Sequence, residues 1–151
     1  MRATALDRIR AFAAEARSEE RMPPGAGRLI AVGWGTVETD RAVGELAASL
    51  GIARTSFRTA GGSGALGASC VVAETLLDGD VALAVLEPAT EGRIAAALAR
   101  WDEGPLVAWY ATESGKSGAR GPFGAERVVA GDPLTGPHRL LVGHAPGTIR
   151  A

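Results

Sequence analysis

The chain has 151 residues, 16 of them basic and 17 acidic, for a formal net charge of -1. That length bounds one ordinary domain able to bury a core, and the near-neutral charge argues against a nucleic-acid partner, which needs a basic surplus or stripe. One cysteine, Cys70, leaves no internal disulfide framework, so a reducing, cytoplasmic setting is expected; no apolar run nears the roughly 20 residues that span a bilayer, and no signal-peptide pattern is visible.

Residues 3–20, ATALDRIRAFAAEARSEE, predict a helix. Leu6, Ile9, Ala13 and Ala16 form a narrow apolar stripe with Phe12 beside it. This helix is expected to pack on the rest of the fold or to make a dimer contact, with the first preferred. Arg21 to Gly27, containing Pro23-Pro24-Gly25, reads as a linker.

Leu29 to Val37 predicts a strand. Leu29, Ala31, Gly33 and Gly35 fall on one face, and Ile30, Val32, Trp34 and Thr36 on the other, so one face is small and one bulky. Glu38-Thr39-Asp40 opens a helix to about Leu50, with Val43, Leu46, Ala47 and Leu50 as its core stripe and Gly51 as its C-cap. Phe57 to Gly67, FRTAGGSGALG, reads as a mobile loop. No helix follows whose N-terminus would hold an anion, so a phosphate-cradling role is not favoured. Ala68 to Thr75 predicts a strand, and Leu77-Asp78-Gly79-Asp80 a hairpin turn.

Val81 to Tyr110, VALAVLEPATEGRIAAALARWDEGPLVAWY, reads as strand, capped helix and strand. Val81 to Leu86 is the apolar run of a buried strand, and Glu87-Pro88 ends it. Thr90 stands where an N-cap belongs, with Glu91 in the first turn. Ile94, Leu98 and Trp101 share one helical face. Asp102-Glu103-Gly104-Pro105 breaks the helix, and Leu106 to Tyr110 is the next strand. Thr112 to Gly121 reads as a loop, Phe123 to Ala130 and His138 to His144 as strands, and 132–137 as the turn between them. The tail after His144 is expected to fray.

Two stretches, Leu29 to Ala42 (LIAVGWGTVETDRA) and Val81 to Tyr110, resemble the vicinal oxygen chelate proteins of the glyoxalase, bleomycin-resistance and methylmalonyl-CoA epimerase type. In that family a Leu-Glu-Pro strand end, a helix and a Glu-Gly strand start link two βαβββ modules. The resemblance covers about Leu29 to Val142 by order of elements. It implies an α+β fold of βαβββ modules; in this chain the loop read at Thr112 to Gly121 leaves the second module shortened and without its helix, and the N-terminal helix is an addition outside the match. The implied limits are 1–27 for helix and linker and 28–151 for the domain, divided into a first module 28–88, a linking helix 90–101 and a second module 105–145. The strands beginning at Leu29 and Leu106 are then pseudo-equivalent members of one sheet.

The resemblance also implies a divalent metal held in a cup-shaped sheet, acting as a Lewis acid on neighbouring substrate oxygens. Carried onto this chain, the ligand positions fall on Ala31, Ala84, Leu106 or Val107, and Val142 or a neighbour. None of these offers a ligand atom, so no metal and no cofactor are expected. The two histidines, His138 and His144, are six apart, roughly 20 Å along a strand, and read as residues of a strand edge and a tail. Cys70 reads as a small core hydrophobe. Gly115-Lys116-Ser117 lacks the earlier glycine and the strand–loop–helix context of a phosphate loop.

What remains is a candidate ligand pocket of Trp34, Trp109, Tyr110, Phe123 and Glu87, apolar walls with a few polar groups. Glu87 doubles as the family's structural end-of-strand glutamate. Arg41, Arg93, Arg127 and Arg139 are cations available to an anionic ligand, though a solvated surface is the plain reading of each. No catalytic residue is assigned. The expected function is metal-independent binding of a small molecule by a homodimer. The alternatives are an isomerase or lyase with relocated catalytic groups, or a non-catalytic assembly or regulatory protein.

Overall fold

A computed structural model describes residues 4–18, 20, 22–77, 81–89, 92–112, 118–132 and 136–143. It contains helix α1 (Ala5–Arg17), strand β1 (Leu29–Gly35), helix α2 (Thr39–Leu50), one 3-10 turn (Arg54–Ser56), strands β2 (Phe57–Ser63), β3 (Ala68–Leu77) and β4 (Val81–Pro88), helix α3 (Arg93–Trp101), and strands β5 (Gly104–Thr112), β6 (Ala119–Gly121), β7 (Gly124–Asp132) and β8 (Gly136–Gly143). All eight strands form one curved, nearly closed sheet in the order β2-β3-β4-β1-β5-β8-β7-β6.

That order reads as a pseudo-two-fold about the central β1–β5 pair. β1 and β5 run antiparallel, β4 lies parallel to β1, and β8 lies parallel to β5. Each flanking hairpin, β3–β4 and β7–β8, is antiparallel. The α+β architecture expected from the resemblance is therefore present. The first half carries α2 between β1 and β2, and no helix occurs among the described residues of the second half.

Two cores lie on the two faces of the sheet. On the convex side Val32, Trp34, Leu83, Val85, Ala108 and Tyr110 meet Ile9, Ala13 and Ala16 of α1 and Val43, Leu46 and Ala47 of α2. On the concave side Ala31, Ala84, Val107, Trp109, Leu140 and Val142 meet Leu66, from the β2–β3 turn, and Ile94 and Ala97 of α3. The two-faced reading of β1 holds from Ala31 onward. A bulge between Leu29 and Ala31 turns Leu29 to the convex core.

α1 packs on its own sheet. Thr4 caps it through a reciprocal box with Asp7, and the buried Tyr110 hydroxyl donates to the Ala16 carbonyl at 2.7 Å. That bond satisfies one of the carbonyls a helix C-terminus leaves open. The helix is shorter than expected, because Ser18 leaves helical geometry for an extended conformation.

Several expectations are corrected. Phe57 to Ser63 is a strand, its backbone paired with β3. Its glycines serve close approach: a Cβ on Gly62 would meet the Ala68 carbonyl oxygen at 2.9 Å. Trp101 shares a helical face with Ile94 but not its burial. It is the last residue of α3, and it stands 45% exposed beyond the sheet that Ile94 covers. β1 stops at Gly35, leaving Val37 exposed. α3 starts at Arg93 with Gly92 as its N-cap residue, while Thr90 and Glu91 lie outside the described residues. So do the Asp-Gly turn, Gly115-Lys116-Ser117, His144 and the tail. β5 runs on to Thr112, and Ala119–Gly121 is a strand.

Candidate functional site

The concave face is filled. Trp109 and Leu86 are fully buried at its middle, with Leu66 and Ile94 closing one end. Gly33 makes room for them, since a Cβ there would lie 2.6 Å from Leu86 Cδ1 and 2.8 Å from Trp109 Cζ3. Phe123 meets the Trp109 ring edge-on, with centroids 5.1 Å apart and planes at 68°. Such edge-to-face contact suits the quadrupoles of both rings. Ala31, Ala84, Val107 and Val142, the positions carried over from the metal-binding pattern, are all buried in this core. Among the described residues no group of three His, Cys, Asp or Glu side chains is placed to hold a metal ion. His138 is not at a strand edge. It is buried on β8, a strand flanked by β5 and β7, and pairs in register with Val107.

One acid lies inside this apolar face. Glu126 of β7 is 1% exposed. Ser63 Oγ, at the end of β2, donates to its Oε2, and Trp109 Nε1 of β5 donates to its Oε1 at 2.9 Å. Burial raises the pKa of this carboxyl, and the two hydrogen bonds only partly offset it. The cluster joins β2, from the far edge of the first half, to β7 and β5 of the second. A backbone bond from Gly64 N to the Arg120 carbonyl at 3.1 Å runs alongside. Both carboxyl oxygens are thus engaged in closing the sheet. Cys70 is near enough to feel this charge. Burial first and Glu126 second push its thiol up to about 12, so it stays protonated and unreactive.

The five residues proposed from the sequence do not converge. Trp109 and Phe123 meet on the concave face. Trp34 and Tyr110 lie on the convex one, because strand neighbours alternate. Trp34 Nε1 donates to Glu103 Oε2 at 3.0 Å. Glu87 sits at the start of α2, where its Oε1 accepts the Thr39 amide at 2.9 Å and the Thr39 hydroxyl at 2.6 Å. These bonds lower its pKa. The N-cap residue Glu38 makes no side-chain cap bond, so Glu87 caps the helix from outside.

Glu103, from the Glu-Gly motif, has a matching role. Its carboxylate accepts from Trp34, from Thr36 Oγ1 at 2.9 Å and from Arg41 Nη2. Burial opposes its charge, but these donors win and its pKa falls. Arg41 also pairs with Glu38 and Glu45, so its guanidinium is committed to three carboxylates.

An open cleft of about 210 Å³ lies elsewhere, where α1, the end of α3 and the starts of β5 and β8 meet. Phe12, Trp101, Pro105, Leu106 and Pro137 give it apolar walls, and Arg8 and Asp102 supply charge. The Arg8 guanidinium lies 5.2 Å from the Trp34 ring centroid and donates to the Glu103 carbonyl at 3.2 Å. Asp102 ends α3 with φ 66° and ψ 177°, a region essentially reserved for glycine. The sequence reading missed this cleft because it set Trp101 on one helical face with Ile94 and Leu98 and did not distinguish their burial. It missed Glu126 too, although a charge two residues from Val128 on an inward-facing register was a legible signal.

This sheet, with its paired halves and central antiparallel strands, is the fold of the vicinal oxygen chelate superfamily. A methylmalonyl-CoA epimerase variant from Streptomyces coelicolor, solved with 2-nitronate-propionyl-CoA, matches with a TM-score of 0.59 over 80% of this chain and 99% of its own, at 17% identity. The methylmalonyl-CoA epimerase of Mycobacterium tuberculosis matches with 0.59 over 81% and 91%, at 14% identity. A hypothetical protein from Bacillus halodurans matches with 0.56 over 82% and 98%, at 16% identity. Identities this low carry the fold alone. No protein-family model matches the chain, and no curated protein matches it in sequence.

Proposed function

We propose that this chain is a metal-independent small-molecule binding protein, and that its ligand seat is the cleft beside Trp101 rather than the concave face. The observation that carries the reading is the cleft itself, with a large aromatic half-exposed at an apolar wall. Small-molecule sites have this character: apolar walls and a few placed polar groups. The metal-independent part is supported by alanine and valine at Ala31, Ala84, Val107 and Val142. These side chains present no lone pair to an ion. A cytoplasmic homodimer, with a domain spanning 28–151 behind an N-terminal helix and linker, completes the proposal. Dimerisation is favoured by the lack of a described helix over β6, β7 and β8, which leaves that half of the sheet less covered.

A second reading is assembly without a ligand. The filled concave face favours it, because an interior pocket would require moving Trp109 away from Glu126. Fluorescence separates the two. Trp34 and Trp109 are buried and Trp101 is exposed on the cleft wall, so a cleft ligand changes chiefly the Trp101 emission. A panel of single-ring compounds that shifts wild-type emission but not that of W101F supports binding. A panel without effect, on a protein that runs as a defined dimer, supports assembly.

A further inference from the structure

We infer that the cleft binds a small organic acid with one flat ring, the ring lying among Trp101, Phe12, Pro105 and Pro137 and its carboxylate on the Arg8 guanidinium. This rests on the cleft being the ligand seat. Size sets the ring count. About 210 Å³ is below the roughly 300–1,000 Å³ of pockets that hold drug-sized ligands, so there is room for one ring and a short polar group. The wall chemistry sets the body. Two prolines and two aromatics offer flat faces that suit a planar ring and reward its burial.

Charge sets the head group, and two residues of opposite sign compete. Arg8 is held in place. One nitrogen donates to the Glu103 carbonyl, the guanidinium face rests over Trp34, and a side chain at Gly104 would collide with Nη2. A guanidinium so fixed keeps other N–H donors in a planar fork, the geometry that matches a carboxylate. Asp102 and Arg8 are both exposed at the rim, so screening weakens both charges, and Arg8 differs in being held by Glu103 and Trp34. The nearby Glu103 carboxylate is engaged by Arg41, Trp34 and Thr36, which offsets part of its repulsion of an anion held by Arg8.

The test titrates full-length protein with sodium benzoate, benzyl alcohol and benzylamine, following Trp101 emission against the W101F background and repeating by calorimetry. Benzoate is expected to bind about tenfold more tightly than benzyl alcohol. R8Q should reduce benzoate to the affinity of benzyl alcohol while leaving benzyl alcohol unchanged. R8K, which keeps the charge and loses the fork, should retain part of the preference. The ranking of the three probes on wild-type protein stands even if R8Q does not fold. Benzyl alcohol or benzylamine binding as well as benzoate would overturn the carboxylate and leave the cleft intact. No response to any of the three at millimolar concentration would overturn the cleft itself.

Discussion

Replacing Glu126 with glutamine tests whether the concave acid is a structural tie that is costly to ionise. The carboxyl is 1% exposed, and burial raises its pKa despite bonds from Ser63 and Trp109. The sign follows from linkage. Below the ordinary glutamate value, about pH 4.3, folded and unfolded chains are both protonated at this site. As pH rises, the unfolded chain releases its proton first, and the folded state loses stability until its own raised pKa is passed. The slope cannot exceed about 1.4 kcal/mol per pH unit for one group. Glu87 and Glu103, whose values are lowered, act the other way, losing stability as pH falls. Both remain in the variant, as do Cys70 and His138, so the difference between wild type and E126Q isolates Glu126. Urea unfolding from pH 4 to pH 8 should show E126Q gaining on wild type as pH rises, with the gain levelling off above the folded pKa. Parallel profiles would refute the reasoning. A variant that loses ground with rising pH would mean the ionised form is favoured by its donors.

Y110F removes the hydroxyl that holds the end of α1 and should cost about 1–2 kcal/mol by urea unfolding, and an unchanged midpoint would show that the helix is held by its apolar stripe alone. G33A introduces a methyl against Leu86 and Trp109 and should cost about 1–3 kcal/mol with an altered near-ultraviolet signal from Trp109; wild-type stability would mean that the interior is looser than its geometry. Elemental analysis after gentle purification should find far less than one divalent metal per chain. About one Zn, Ni, Co or Mn, lost on mutating His138 or His144, would sink the metal-independent reading.

Much of the fold was legible because it depends on period and punctuation. β1, β4 and β5 are buried runs, and α2 ends at Gly51, which adopts φ 71° as a left-handed C-cap requires. The Leu-Glu-Pro and Glu-Gly motifs marked the crossing between halves, and the structure gives their glutamates physical roles: Glu87 caps α2, and Glu103 gathers Trp34, Thr36 and Arg41. The residues of β2 look like a loop in sequence because glycine suggests freedom, whereas at Gly62 it allows the β3 backbone to come close. The candidate pocket was less legible. Aromatic character identifies Trp34, Trp109 and Tyr110 as important, but only strand parity assigns them to faces, and adjacent Trp109 and Tyr110 must separate. The cleft depends on where α3 stops relative to the sheet, a tertiary distance that helical spacing does not encode.

The central strand pair explains why the interior is closed. β1 and β5 are equivalent by pseudo-symmetry, yet their concave side chains differ in volume. Ala31 pairs in register with Trp109, and Gly33 pairs with Val107. An open cup needs small or polar groups on both strands, so that space remains between them. Here one strand has given up its side-chain volume and the other has taken it, so the space is used once. Packing at interior density then makes further change costly in either direction. Enlarging β1 forces the indole aside, and shrinking β5 removes the donor to Glu126 together with the bulk that fills the sheet. The indole N–H couples the two effects, because the residue that fills the cavity also bonds the acid that ties β2 to β7. W109F separates them: it keeps most of the bulk and loses the bond. If the tie matters as much as the filling, W109F should fall about midway between W109A and wild type in stability. A near-wild-type W109F would mean that Trp109 stabilises the sheet chiefly by the volume it fills.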